Sequence, residues 1–193
     1  MNMKIQINSL CLALCLGFPV ATAVALFTGC AGDRYNRSTG EYIDDKSLRL
    51  RVANALSDNP DYKFEGVSIA VFKGTVQLNG FVDLSAQKTQ AGDIAKQVPG
   101  VREVANNITV KAQSERTAGE SVDDKALAAS VRNALDNNPD YNYGEVSVTT
   151  YRGTVQLSGF VNTADQKSKA DDIARHVPNA KDVLNNISVK DKM

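Results

Sequence analysis

A nucleophile, a metal cage or an acid–base pair needs several reactive side chains close together, and this 193-residue chain supplies few. Its cysteines are Cys11, Cys15 and Cys30; the first two lie in an apolar N-terminal run and none follows Cys30. One cysteine beyond that run builds neither a disulfide framework nor a thiolate metal site. The single histidine, His176, falls on a helical stretch, and Gln97 stands at the matching position 79 residues earlier, so it reads as a surface side chain. Asp123-Asp124 and Asp171-Asp172 are adjacent carboxylates, which point apart on a helix. Asn106-Asn107 and Asn185-Asn186 read as turns before a last strand. No Ser-His-Asp order and no ligand cluster stands out. The expectation is a chain without catalytic residues, metal or cofactor.

What remains for function is charge and apolar surface. The stretch "DDKSLRLRVANAL" carries Lys46, Arg49 and Arg51 against Asp44 and Asp45, and "DDKALAASVRNAL" carries Lys125, Arg132 and the apolar Leu127. A basic side chain near an anionic lipid surface is worth about 1 kcal/mol, so these six residues are candidate membrane contacts. The competing reading is a solvated helix face, and for Leu127 a place between helix and sheet. Tyr62, Tyr141 and Tyr143 follow these helices and suit either a membrane interface or packing over a domain edge. Whole-chain charge is balanced at 22 Lys+Arg against 22 Asp+Glu. That lacks the basic stripe nucleic-acid binding needs, so no nucleic-acid partner is expected.

These residues sit in a repeat. "FKGTVQLNGFV" at 72–82 returns as "YRGTVQLSGFV" at 151–161, and 36 of 70 positions agree when 43–112 is set on 122–191. Two copies of one small domain fit this better than a solenoid, whose units run roughly 20–50 residues. Each copy reads helix, strand, strand, helix, strand. Leu48, Val52, Ala55 and Leu56 share one helical face, with Asp44 and Asp45 placed as N-caps and Asn59-Pro60 as the stop. Val67, Ile69 and Val71 alternate with polar or small residues, as do Val76 and Leu78, across a Lys73-Gly74 turn. Gly74 and Gly153 serve the hairpin turns. Gly80 and Gly159, inside strands, mark a bulge or a close approach, expected from the helix packed across that face. Ala91, Ile94, Ala95 and Val98 form the second helix, ending at Pro99-Gly100, and residues 103–111 the last strand. Domains of about 70 residues bury a modest share of their surface, which leaves room for the copies to pack on each other.

The first thirty residues read as a targeting segment: Lys4, an apolar run from Leu10 to Phe27, then small residues. "LFTGC" resembles the lipobox of bacterial lipoproteins. That resemblance implies a signal peptide at 1–29, cleavage before Cys30, and acylation of Cys30 with chains such as palmitate. Ala31, rather than Asp, after the cysteine implies export to the outer membrane. A soluble periplasmic form and a retained inner-membrane anchor remain the alternatives. Removing 1–29 takes away only Lys4, leaving 21 basic against 22 acidic residues. Residues 30–42 read as a tether and 113–121 as a linker.

The order αββαβ, with "GTVQLxG" then "FV" and a helix ending "VPG", resembles the BON domain in both copies, 43–112 and 122–191. The implied fold is α+β: two tandem BON domains, each a small three-stranded sheet with two helices on it. A lipobox before two such domains resembles dual-BON outer-membrane lipoproteins. It implies a periplasm-facing, non-enzymatic module whose second domain meets anionic phospholipid through its first helix, supporting outer-membrane integrity under stress. Envelope proteins are the alternative partners, met as an osmotic-stress or chaperone-like protein or through a sheet edge that accepts a partner strand. Charge points the other way within the pair. Residues 43–112 hold 9 basic and 8 acidic side chains, or +1, and 122–191 hold 8 and 10, or −2.

Overall fold

The computed structural model describes residues 38–111 and 118–190. The expected signal segment at 1–29 and Cys30 lie outside the described residues. The first copy contains helix α1 (Thr39–Ser57), strands β1 (Val67–Phe72) and β2 (Thr75–Val82), helix α2 (Ser85–Gln97) and strand β3 (Glu103–Val110). The second contains α3 (Ala118–Asp136), β4 (Val146–Tyr151), β5 (Thr154–Val161), α4 (Ala164–Arg175) and β6 (Asp182–Val189). The αββαβ order is therefore as the sequence indicates.

The helix starts are not. Ser38 caps α1: its hydroxyl accepts from the Glu41 amide at 3.2 Å, while the Glu41 carboxylate accepts from the Ser38 amide at 2.9 Å. This reciprocal capping box begins the helix inside the expected tether, and α3 likewise begins inside the expected linker. The backbone and hydroxyl of Ser38 hold the Glu41 carboxyl below its ordinary value, with smaller help from Lys73 and Arg102.

Asp45 is correspondingly no cap. It lies on the buried face of α1 with Leu48, Val52 and Leu56. Its two carboxylate oxygens accept from the amides of Lys73 (2.8 Å) and Gly74 (3.1 Å). Asp124 does the same for Arg152 (2.8 Å) and Gly153 (3.0 Å). Both turn residues have positive φ in each hairpin, Lys73 and Gly74 at 49° and 83°, Arg152 and Gly153 at 52° and 82°, the signature of a two-residue type I′ loop. The aspartate thus ties the first helix to the tip of the hairpin.

In each sheet the middle strand is β2 or β5, antiparallel to the hairpin partner and parallel to the last strand. The α2 and α4 crossovers supply the parallel connections. Alternate residues of each sheet face its own two helices. Val76, Leu78 and Ile108 close one core, and Val155, Leu157 and Ile187 the other. Asn106 and Asn107 lie inside β3 rather than in a turn. The Asn106 amide donates to the Lys88 carbonyl of α2 at 2.6 Å, and Asn185 to Lys167 at 3.0 Å, fastening strand to helix.

The second core also takes in Tyr143, whose hydroxyl donates to the Gln166 carbonyl at 3.1 Å. Burial pushes its phenol up to about 12. A folded-state pKa raised above the unfolded value near 10 keeps its stabilisation below about pH 10 and loses it as pH rises toward 12. Tyr143→Phe is expected to lose about 1 kcal/mol at neutral pH yet to move the alkaline unfolding midpoint upward. An unchanged midpoint in a pH-jump circular dichroism series would remove Tyr143 as the alkaline trigger.

Candidate functional site

The two sheets meet face to face through the sides turned away from their helices, giving the layer order helices, sheet, sheet, helices. Gln77 and Gln156, both fully buried, form the centre of this seam. Gln77 Oε1 accepts from the Gly159 amide at 3.0 Å, and Gln156 Oε1 accepts from the Gly80 amide at 2.6 Å. Gln156 Nε2 donates to the Asn107 carbonyl at 2.8 Å; Gln77 Nε2 donates to Asn186 at 3.3 Å and to the Ser188 hydroxyl. Aromatic rings repeat the exchange: Phe72 lies 5.4 Å from Phe160, and Phe81 5.5 Å from Tyr151. Lys190 stands over Phe72 and Lys111 over Tyr151. The glutamine bonds to glycine amide and strand carbonyl, the ring pairs and the lysines over them each have a mate 79 residues away, so the copies are related by a pseudo-two-fold. The repeated eleven residues at 72–82 and 151–161 are the stretches through which each half docks on the other.

Gly80 and Gly159 belong to this seam and not to a helix contact. Their φ values are 120° and 121°. A Cβ on Gly80 would stand 1.9 Å from the Gly66 carbonyl oxygen, and one on Gly159 2.1 Å from that of Glu145. The close neighbour is the copy's own chain entering the hairpin.

With both sheet faces used, the outward surfaces are helical. On α1 the side opposite the core presents Ile43 (57 % exposed) and Leu50 (62 %), with Tyr42 (45 %) beside them. These positions are seven apart and so share a face. Lys46 and Arg49 flank that stripe on one side and Arg51 on the other, all exposed; the Lys46 ammonium sits 5.4 Å over the Tyr42 ring. The second copy differs. Leu127 is only 5 % exposed and belongs to the core with Val131 and Leu135, so it is not available to a membrane. Helical spacing with those two residues is the reason. Lys125 and Arg132 are exposed, but the Arg132 guanidinium donates to the Val148 carbonyl at 3.2 Å. In place of Ile43 and Leu50 stand Val122 and Ala129. Tyr62 and Tyr141 are half-buried, each packed edge-on against its neighbour Phe64 or Tyr143. His176 is exposed, its Nδ1 2.6 Å from the Asp172 carbonyl. Among the described residues, no three His, Cys, Asp or Glu side chains gather as a metal site.

A family model for the BON domain matches residues 44–112 and 123–191, the two αββαβ units described above. The chain belongs to the BON-domain family. It is 29 % identical over 97 % of its length to the osmotically-inducible protein Y of Escherichia coli (strain K12), covering 98 % of that protein. To the outer membrane lipoprotein DolP of Haemophilus influenzae it is 34 % identical, over 77 % of this chain and 76 % of that one. It is also 29 % identical to the 21 kDa hemolysin of Actinobacillus pleuropneumoniae, over 77 % and 75 % of the two chains. Each BON domain of this chain thus has its helices outward and its seam inward. No helix among the described residues is long and apolar enough to cross a membrane.

Proposed function

We propose that this tandem-BON chain is a non-enzymatic cell-envelope protein, anchored at the periplasmic side of the outer membrane through acylated Cys30, that rests its first BON domain on anionic phospholipid and supports the barrier under stress. The carrying observation is the stripe of Ile43 and Leu50 on α1, exposed and flanked by Lys46, Arg49 and Arg51. Apolar side chains that enter the headgroup layer, ringed by cations that meet lipid phosphate, are the two components of interfacial helix binding. The sandwich turns α1 and α3 to opposite sides, so one flat surface meets one of them at a time. The stripe on α1 is the larger and the more basic. Similarity to an outer membrane lipoprotein and to an osmotically inducible protein supports the envelope setting and the stress role.

The test is co-sedimentation of the chain from Ala31 onward with neutral and phosphatidylglycerol-containing vesicles at low and moderate salt. Salt-sensitive pelleting with the anionic vesicles is expected. Ile43→Asp with Leu50→Asp should abolish it, at least tenfold in partition, while Lys125→Gln changes little. The near full-length match to the osmotically inducible protein favours a second reading, a stress protein that acts on other proteins. No pelleting on any vesicle, together with suppression of aggregation of an unfolded client, would establish that reading instead.

A further inference from the structure

Where α1, the β1–β2 turn and the α2–β3 connection converge, the first copy holds a cleft of about 290 Å³. Arg51 and Arg102 both line it. A Cβ on Gly100 would lie 3.2 Å from Arg51 Nη2, and a Cβ on Gly74 3.0–3.4 Å from Arg102 Cγ, Cδ and Nε. Both glycines have positive φ, 95° and 83°, so the arginines lie against bare backbone. Both are exposed, and neither guanidinium makes an ion pair among the described residues. Lys73 lines the same cleft. Of the carboxylates there, Asp45 accepts from two turn amides and Glu41 from Ser38, with Lys73 and Arg102 acting more weakly on Glu41; Asp44 also lines the cleft.

The second copy has the same cleft without this equipment. Ser130 replaces Arg51, Asn179 replaces Gly100, Lys181 replaces Arg102, and Arg152 pairs with Glu120 at 3.4 Å. Lysine does not reproduce the forked guanidinium that grips two oxygens of one phosphate.

The geometry points to a phosphodiester site in the first copy, with Arg51 and Arg102 gripping the non-bridging oxygens of a single phosphate and Lys73 adding charge. Glu41 and Asp44 in the lining disfavour densely charged monoesters and polyphosphates and leave a singly charged diester as the fitting ligand. A phospholipid headgroup supplies that group; for this source the inference rests on the membrane reading above.

The experiment titrates the ¹⁵N-labelled chain from Ala31 onward with dihexanoyl-phosphatidylglycerol below its micelle concentration, and separately with inorganic phosphate. Both described copies fall within one compact unit, so the cleft is intact in this chain. Saturable shifts centred on the amides of Gly74, Gly100 and Arg102 are expected. The double variant Arg51→Gln/Arg102→Gln should weaken them about tenfold or more, while Lys181→Gln leaves them unchanged. Both arginines are exposed, so the remaining resonances should not move. Equal shifts in the second copy, or an unaffected double variant, would overturn the site. Inorganic phosphate binding as tightly as the lipid would overturn the diester assignment and name free phosphate as the source. Vesicle pelleting without soluble-lipid binding defeats this inference alone. Saturable soluble-lipid binding without vesicle pelleting supports the cleft and defeats the membrane-docking reading.

Discussion

Gly80→Ala is expected to destabilise the chain by about 3 kcal/mol or more, although it adds one methyl group. That methyl would stand 1.9 Å from the Gly66 carbonyl oxygen, 3.0 Å from its carbon and 3.3 Å from Val67 Cα. All three are backbone atoms at the start of β1, so no side chain can turn aside to make room. The φ of 120° is strained for any residue with a Cβ. Displacing the strand would also pull the Gly80 amide from Gln156 Oε1, 2.6 Å away. For a folded unit of this size the loss corresponds to a fall in melting temperature of about 10 °C. Gly159→Ala should behave alike, since its methyl would meet the Glu145 carbonyl oxygen at 2.1 Å. Gly40→Ala is the control: its nearest atom is 3.9 Å away, and a helical alanine there should be neutral or slightly stabilising. Equal melting temperatures for Gly80→Ala and Gly40→Ala would refute the close approach.

That glycine shows how far the sequence could be read. A glycine inside a strand signals something passing close, and something does; but the helix expected there is replaced by the strand's own antecedent and by the other copy's glutamine. The order of elements was legible because each rests on local chemistry: Leu48 and Val52 at helical spacing, Val76 and Leu78 at strand spacing, Lys73-Gly74 between them. Two further features carried a local signal that acid-rich helix starts obscured. Ser38 and Glu41 form the S-x-x-E pattern of a capping box, which places the helix start before Asp44. Asp45 then falls three, seven and eleven positions before Leu48, Val52 and Leu56, on the buried face. The same count puts Leu127 inward with Val131, and Ile43 and Leu50 outward. The seam had no such signal. Alternation tells which strand residues face away from the helices, but a buried glutamine and a solvated one look the same in sequence. Repetition allows the copies to share a surface without saying which. The cleft beside Arg51 assembles residues 51, 73 and 102 from three elements, a convergence that spacing along the chain does not reveal.

Gln77→Leu combined with Gln156→Leu is expected to open the seam while leaving each copy folded. Leucine is close in volume but offers neither a donor nor an acceptor. The Gly80 and Gly159 amides would remain buried without these partners, and the half-buried carbonyls of Asn107 and Asn186 would lose their donors. An orphaned buried polar group costs about 1–3 kcal/mol. The two amides together, at about 2–6 kcal/mol, outweigh the aromatic pairs Phe72–Phe160 and Phe81–Tyr151, which contribute about 0.5–1.5 kcal/mol each beyond the area they bury. Separation hydrates all four groups at once, so the variant gains by coming apart. The cores do not share residues across the seam, and far-ultraviolet circular dichroism should therefore stay unchanged. Small-angle scattering should show the radius of gyration rising toward that of two tethered beads. Each single variant orphans one amide and one carbonyl, and the two glutamines act on the same interface, so their effects should be strongly non-additive. A double variant as compact as the parent, with stability equal to the sum of the single changes, would mean that the rings and not the glutamines hold the copies together.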